Sequence, residues 1–306
     1  MDFVTFGLIL DDVVYPDGRT AMGMLGGGGP QTAFGMRLWS ESVGLVAEVG
    51  PDLPEAVLRW IRESGVDGAG LHFSERPTPR AWQLLEADGR RRHVWRMPGP
   101  VTGAQLGRSL ACLPEAYRGA RGFHFGVHAE DPNLEFAAGL RALGGVVSLE
   151  LFRPAERRLP PEALRALLAA ADIISLSLEE ARSLAGPYPP LRLARQLIDA
   201  GAPVLALRMG EGGSLVVEGK TGKAARIPAA PVKVVDEIGA GNAYCGGFLA
   251  GWVEEQHDLV AAGLQGAIAA SLLIEQFGVP TIGPETRVEA RDRLKPLRSR
   301  VEQIGL

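Results

Sequence analysis

The second half of the chain alternates short apolar runs with segments of helical spacing, and this alternation constrains the fold more than any other feature of the sequence. The predicted strands are Gly122–Val127, Val146–Leu151, Ile173–Leu176, Val204–Leu207 and Leu215–Val217. The predicted helices between them are Pro161–Ala170, Leu178–Ala185 and Leu191–Ala200. Strands that alternate with helices of this length build βαβ units, in which the strands run parallel. The sequence therefore predicts an α/β fold around a mainly parallel sheet.

The rest of the chain extends the same pattern. It supplies predicted strands at Phe3–Leu10, Val43–Val49 and Val232–Val235, and predicted helices at Gln31–Trp39, from Leu53 to near Gly65, at Ala240–Val253 and at Leu259–Phe277. Asp52, with Glu55 three residues later, predicts a capping box at the start of the second of these helices. No internal repeat or linker interrupts residues 1–306, so we expect a single domain.

Two short segments stand outside the alternation. Ala81–Glu86 and Arg90–Trp95 contain tryptophans, and the Asp-Gly dipeptide that joins them favours a two-residue hairpin turn. The stretch from about residue 69 to 97, together with about 11–22, is therefore predicted to form small lid strands inserted in the domain.

The charge balance and the cysteines exclude several classes of protein. A formal net charge of −4 over 306 residues gives no electrostatic footprint for nucleic acid. Cys112 and Cys245 lie far apart, so neither a disulfide framework nor a zinc site is predicted. The N-terminal residues lack the features of a signal peptide, and no stretch approaches the roughly 20 apolar residues that span a bilayer. We therefore expect a cytoplasmic protein that binds neither nucleic acid nor membrane.

The segment from Val234 to Tyr244 carries the most chemical information. A β-branched run ends at Asp236, and the turn Gly239-Ala240-Gly241 then opens a helix. Glycines let the backbone approach a ligand closely, and the free N–H groups of a first helical turn attract anions. A phosphate site is one interpretation of this turn, and a tightly packed helix entry is the other.

This segment resembles the second signature of the ribokinase, or PfkB-type, carbohydrate kinase family, whose usual form is Asp-Thr-x-Gly-Ala-Gly-Asp. The resemblance implies a ribokinase-like three-layer sandwich with a mainly parallel sheet and a small β lid. It also implies that the amides of Gly239, Ala240 and Gly241 form the anion hole for the transferring phosphoryl group, with Asp236 as the leading acid. Asn242 occupies the position of the catalytic base, although an amide cannot accept a proton at neutral pH.

Other segments follow the order of the same family. The resemblance implies substrate contacts from Asp12, Gly26, Gly27 and Gln31, and nucleotide contacts from Gly210 and Gly213 beside Asp236. Ser177 and Glu180 fall where the family has Asn-x-x-Glu, a motif linked to magnesium. Glu180 is therefore expected to contact Mg²⁺ through water, while Ser-x-x-Glu before a helix is also a capping box, and the two roles are compatible.

Two functions are consistent with these residues. The first is an ATP- and Mg²⁺-dependent phosphotransferase that acts on a sugar-like or other small hydroxyl substrate, with activity weakened by Asn242. The second is an inactive pseudo-kinase that binds nucleotide or sugar as a sensor or scaffold. Asn242 and Ser177 favour it, as does the run Gly26–Gly29 followed by Gln31, which resembles the family's first signature but lacks its usual asparagine. Trp82 and Trp95 on the lid strands favour an interface, so we expect a homodimer formed through the lid.

Overall fold

The computed structural model describes residues 1–87, 91–97 and 105–305, and it arranges their strands in two sheets. The larger sheet has ten strands in the order β14 (Glu302–Gly305), β13 (Lys223–Ile227), β12 (Ser214–Glu218), β11 (Val204–Arg208), β10 (Ile173–Ser177), β9 (Val146–Leu151), β8 (Gly122–Val127), β1 (Phe3–Phe6), β4 (Val43–Val49) and β5 (Val66–Phe73). The smaller sheet has the order β3 (Thr20–Gly26), β2 (Ile9–Val14), β6 (Arg80–Leu85) and β7 (Arg91–Trp95).

The pairing of the strands confirms the predicted α/β fold. From β5 through β4, β1, β8, β9 and β10 to β11, every neighbouring pair is parallel. The sheet then continues antiparallel through β12 and β13 to β14. β8 and β9 have the predicted bounds, and β10, β11 and β12 extend their predicted bounds by one or two residues.

Helices cover both faces of the larger sheet. The described residues form helices α1 (Gly29–Arg37), α2 (Glu55–Glu63), α3 (Leu134–Ala142), α4 (Pro161–Ala169), α5 (Leu178–Ala185), α6 (Pro190–Asp199), α7 (Ala240–Glu254), α8 (Leu259–Leu273) and α9 (Pro284–Arg298). Phe3 packs in the core with α1, α2, α7, α8 and α9, whereas its neighbour Val4 packs in the core with α3 to α6. Successive residues of a strand point to opposite faces, so the parallel strands are buried on both sides. The result is a three-layer sandwich.

The segment Phe3–Leu10 is not one strand, as the sequence predicted, but two. Gly7 has φ 92°, in the left-handed region that favours glycine, and it ends β1. The chain then leaves the larger sheet, and β2 joins β3 and β6 in the smaller one. Residues 69–73, which the sequence placed in the lid, belong to the edge strand β5. The predicted Asp-Gly turn at 88–89 lies outside the described residues.

Two further local predictions are wrong. Val232–Val235 forms no strand, and Val235 makes one backbone hydrogen bond instead, to the carbonyl of Ile274 (2.8 Å). The edge of β13 is already occupied by the C-terminal strand β14. Asp52 does not cap α2, because its Oδ1 accepts from the Thr78 N–H (2.6 Å) and the N-cap of the helix is Pro54.

No helix within the described ranges combines the length and the apolar character that crossing a membrane requires.

Candidate active site

Two glycine-rich segments, distant in the sequence, meet at the start of α1 and α7. These helices approach closely because Gly35 and Gly246 have no side chain. A Cβ at Gly35 would overlap the Ala243 carbonyl, and one at Gly246 would overlap the Thr32 carbonyl. Their first turns are therefore neighbours. A Cβ at Gly28, which has φ 81°, would lie only 2.9 Å from Asn242 Nδ2. The side chain of Asn242 thus lies directly over a position where only glycine fits.

The turn Gly239-Ala240-Gly241 has the geometry of an anion site. Gly239 has φ 84° and is the N-cap of α7, and no side chain of the described chain caps this helix. The N–H groups of Gly241 and Asn242 belong to the first helical turn, which has no intrahelical partners. Ala240 differs from the prediction, since its N–H donates to the Glu237 carbonyl inside the turn (3.2 Å).

Gln31 packs against this turn. Its Cγ lies where a Cβ of Gly239 would be, and its Nε2 donates to the Leu25 carbonyl (3.1 Å). Its Oε1 is buried and has no hydrogen-bond partner among the residues that the structure describes. A buried acceptor without a hydrogen bond lowers the stability of the folded state, and this one lies beside the anion turn. The structure therefore places Gln31 beside the anion turn, and substrate binding by Gln31 stays a prediction.

Glu150, at the end of β9, lies beneath the turn and was not predicted from the sequence. It is 4% exposed. Its Oε1 accepts from Asn242 Nδ2 and lies 3.3 Å from His124 Nε2, while its Oε2 lies 3.3 Å from Cys245 Sγ. Burial raises the pKa of Glu150, but the hydrogen bond from His124 and the charge of Arg208 outweigh it and lower the pKa to about 2. Glu150 is thus an ionised carboxylate in the core.

Arg208 joins the two buried acids of the site. Its Nη1 lies 3.4 Å from Glu150 Oε2, and its Nη2 lies 3.3 Å from Glu180 Oε2. A Cβ at Gly241 would overlap Nη1, so the guanidinium stands next to the anion turn. No role for Arg208 was predicted from the sequence. The structure shows it as the cation that balances the carboxylates.

Glu180 forms the predicted capping box with Ser177. The Ser177 N–H donates to Glu180 Oε2 (2.7 Å), and the Glu180 N–H donates to Ser177 Oγ (3.2 Å). Burial raises the pKa of Glu180, against the opposing charge of Arg208. Glu180 Oε1 has no hydrogen bond to the described residues, which leaves one oxygen for a hydrated cation. This arrangement fits a Mg²⁺ ion contacted through water and does not fit direct coordination by both oxygens.

Another trio of possible metal ligands lies in the same cluster. One ligand atom each from His124, Glu150 and Cys245 lies within 4.8 Å of the others. These atoms already hydrogen bond to one another, burial raises the pKa of the Cys245 thiol, and Arg208 supplies the balancing positive charge. A metal ion would have to displace this charge, so the cluster is a hydrogen-bond network and not a metal centre.

Asp12 is engaged on both carboxylate oxygens. It is fully buried and accepts from Arg80 Nε and Nη2 (both 2.7 Å), from Arg96 Nη1, and from the Gly23 N–H (2.8 Å). Burial raises the pKa of Asp12, but the hydrogen bonds from Arg80, Gly23 and Arg96 lower it to about 2. These contacts tie together the strands of the smaller sheet. Substrate binding by Asp12 stays a prediction.

The other predicted glycines differ in their surroundings, and substrate binding by Gly26 and Gly27 stays a prediction. A Cβ at Gly26 would overlap Asp11 Oδ2 and one at Gly27 would lie 2.7 Å from the Ile9 nitrogen, so both glycines permit β3 to pass close to β2. A Cβ at Gly213 would overlap the Ile227 carbonyl. Gly210, with φ 59°, faces open space, as a nucleotide contact requires.

Asp236 lies near the same turn. It is 7% exposed, and its carboxylate accepts from the Ile238 N–H (3.1 Å) and from the Tyr15 hydroxyl (3.4 Å). It therefore fixes the approach of the chain to Gly239, and the contact with Tyr15 ties the turn to the smaller sheet. Nucleotide binding by Asp236, Gly210 and Gly213 stays a prediction.

Comparison with known proteins decides which family this site belongs to. A sequence model described as pfkB family carbohydrate kinase matches residues 4–286. The chain belongs to the pfkB family. It is 28% identical over 254 residues to a cytidine kinase from Thermococcus kodakarensis, a match that covers 82% of this chain and 88% of the relative.

Solved structures show that this pfkB chain has the ribokinase-like fold. A fructokinase with bound ATP from Xylella fastidiosa superposes with a TM-score of 0.75 at 22% identity, covering 95% of this chain and 98% of that one. An adenosine kinase from Sinorhizobium meliloti superposes with a TM-score of 0.74 at 21% identity and the same coverage. The family and fold inferred from the sequence motifs are confirmed.

The pfkB chain also has a cavity that sequence reasoning missed. It has a volume of about 100 Å³, lies at the ends of β1, β4 and β5, and is lined in part by Gly7, Leu8 and Arg108. Arg108 donates from Nη1 to the Gly126 carbonyl (2.7 Å), and its Nε is buried without a partner in the described ranges. Burial lowers the pKa of Arg108 to about 10. Arg108 carries no sequence signal, because it follows the lid segment in no recognisable motif.

Proposed function

We propose that this chain is an ATP-dependent phosphotransferase that transfers the γ-phosphoryl group to a hydroxyl of a sugar-like, nucleoside-like or other small compound. One observation carries the proposal. The first turn of α7 presents the N–H groups of Gly241 and Asn242 beside the guanidinium of Arg208, and no side chain among the described residues caps it. Membership of the pfkB family supports kinase chemistry, and the names of the relatives, cytidine kinase and fructokinase with bound ATP, support the classes of acceptor and donor.

The proposed transfer is an in-line displacement. The acceptor oxygen bonds to the γ-phosphorus as the bond to the β-phosphate oxygen breaks, which releases ADP. Such reactions depend mainly on positioning and on neutralising charge. The amides of Gly241 and Asn242 stabilise the transferring group, and a well-placed donor contributes about 2.7–4 kcal/mol to the transition state. Glu180 would contact Mg²⁺ through water, and the ion would supply further charge neutralisation when bound.

We place the acceptor in the cavity near Gly7 and Arg108. Gly7 connects this cavity with the glycine run Gly26–Gly29, since a Cβ added at Gly7 would lie 3.5 Å from the Gly27 carbonyl oxygen. Gly28 follows and lies against Asn242. The cavity and the anion turn are therefore joined through the glycine run, which supports our proposal that the acceptor hydroxyl binds near the start of α7.

A pseudo-kinase that binds nucleotide without turnover is the second candidate. Asn242 favours it, because an amide cannot act as a general base, and general-base help is typically worth about 10²–10⁴ in rate. Ser177 also favours it, since its Oγ is committed to the capping box with Glu180.

Release of ADP in a panel of pentoses, hexoses and nucleosides, including cytidine, separates the two candidates. A phosphotransferase releases ADP with at least one acceptor. A pseudo-kinase releases none, while Mg–ATP still raises its melting temperature through binding to the folded state. If ATP neither turns over nor shifts the melting temperature, both candidates are wrong.

Gly241→Ala tests whether the anion turn is the site. The added methyl group meets Arg208 Nη1 and pushes the guanidinium from the turn, so we expect ADP release to fall by about 10²-fold, the order of losing one transition-state donor. Gly119→Ala is the matched control, because a Cβ there meets nothing within 4 Å and its activity is expected to equal that of the parent. Equal activities of both variants would contradict the assignment.

A further inference from the structure

The side chains of Asn242 and Glu150 form a hydrogen-bonded pair below the anion turn. Asn242 Nδ2 donates to Glu150 Oε1. An ionised carboxylate only accepts hydrogen bonds, so the amide must direct Nδ2 toward Glu150 and Oδ1 away from it. Asn242 is partly exposed whereas Glu150 is buried, and Oδ1 has no hydrogen bond to any residue that the structure describes. The amide thus offers a free acceptor on the side away from the core.

Glu150 keeps its charge because of the groups packed around it from every element. His124 on β8 and Cys245 on α7 donate to it, and Arg208 on β11 pairs with it. Arg108 contributes a second positive charge, and Glu180 on α5 a negative one on the far side of Arg208. Substitutions at positions 242 and 150 leave all of these groups in place, so the groups do not account for differences in melting or activity among such variants.

A carboxylate at position 242 would meet a second, ionised carboxylate at hydrogen-bond distance. Two acids in such contact cannot both ionise near neutral pH, and they share one proton. The shared proton would block the introduced acid from acting as a base. An amide avoids this conflict, because it donates to Glu150 and still presents an acceptor.

We propose that Asn242 orients the acceptor hydroxyl through Oδ1, and that Glu150 is the positioning residue that holds the Asn242 amide in this orientation. The inference rests on the proposed phosphotransferase function. The hydroxyl donates to Oδ1, its oxygen bonds to the γ-phosphorus, and its proton moves to a non-bridging oxygen of the transferred phosphoryl group. The amide itself gains and loses no proton.

Exchange of the two groups tests the inference. The variants are Asn242→Asp, Glu150→Gln, and the double variant N242D/E150Q, which keeps one carboxylate and one amide but swaps their positions. The melting temperature without ligand is measured at pH 5 and pH 8. ADP release is measured at pH 7 with the best acceptor of the panel, or with water as the acceptor if none is found.

We expect Asn242→Asp to melt at least about 4 °C below the parent at pH 8 and to recover toward pH 5, where the pair holds its shared proton. The double variant lacks this added pH dependence. We expect Asn242→Asp to raise ADP release by less than about tenfold, and the double variant to raise it by about 10²-fold, because only there is the acid free to act as a base.

Equal gains in ADP release from Asn242→Asp and from the double variant would overturn the role of Glu150. A pH dependence of melting in Asn242→Asp equal to that of the parent would overturn the pair itself. If the pH dependence appears while no protein releases ADP, the pair stands, and the orienting role falls together with the proposed function. If the double variant does not fold, Glu150→Gln alone tests the positioning role, since it removes the carboxylate that holds the amide; ADP release equal to that of the parent would overturn this role.

Discussion

Replacement of Arg208 by methionine tests the charge balance on which the site depends. The change keeps much of the side-chain volume and removes the cation that lies 3.4 Å from Glu150 and 3.3 Å from Glu180. Removal of one partner from a buried ion pair costs about 3–5 kcal/mol, because an uncompensated charge stays in the core. At about 2–4 °C per kcal/mol in domains of about 150–250 residues, we expect the melting temperature to fall by roughly 6–20 °C.

The pH dependence of this loss has a defined sign. Without Arg208, the folded-state pKa values of Glu150 and Glu180 rise. The folded variant then binds more protons than the unfolded chain, so its stability increases as the pH falls. The deficit in melting temperature is therefore largest at pH 7–8 and shrinks as the pH approaches about 4, where carboxyl groups of the unfolded chain are protonated. Thermal melts across this range, followed by circular dichroism, measure the effect.

Arg62→Met is the matched control. Arg62 also pairs with a carboxylate, that of Glu55 (2.6 Å), but both side chains are more than 60% exposed. Exposed pairs contribute little, so no change in melting temperature is expected. A loss from Arg208→Met no larger than that of the control, or one that does not depend on pH, would refute the claim that Arg208 balances two buried carboxylates.

Three further predictions follow from the structure. Asp12→Asn should lower the melting temperature at pH 7, and this deficit should vanish as the pH falls from about 4 toward 2. The folded pKa of Asp12 is lowered to about 2, so the parent loses the contribution of the ionised carboxylate in that pH range. A constant deficit in thermal melts over this range would contradict the prediction. Gly35→Ala should cost about 1–3 kcal/mol in urea unfolding, because its Cβ overlaps the Ala243 carbonyl and separates α1 from α7; stability equal to Gly119→Ala would be the opposing result. Sedimentation should show a homodimer that Trp95→Glu dissociates, since Trp95 is 38% exposed on the outer lid strand; a parent that sediments only as a monomer would rule the dimer out.

The order of strands and helices could be predicted from sequence because its causes are local. Apolar runs such as Gly122–Val127 and Val146–Leu151 carry their period and their bounds in the residues themselves, and the structure keeps both bounds. The helix start at Ala240 was likewise predictable, since glycine at 239 permits the positive φ that precedes the helix. Val232–Val235 has an equally suitable composition and forms no strand; the Val235 N–H bonds to the Ile274 carbonyl, and β14 pairs with β13.

The sequence by itself determined the α/β architecture, the glycine run at residues 26–29, the glycine turn at residues 239–241 and the presence of an amide at position 242. Only the tertiary structure decided what that amide contacts. Glu150 lies 92 residues away in the chain and Arg208 lies on another strand, and their meeting depends on strand order and on helix packing that no local pattern encodes. Asp12 is a second example. The sequence predicted that it contacts the substrate, whereas the structure shows that Arg80 and Arg96 donate hydrogen bonds to its carboxylate oxygens. Charges act through space, so the state of each acid is set by neighbours that only the folded chain brings within reach.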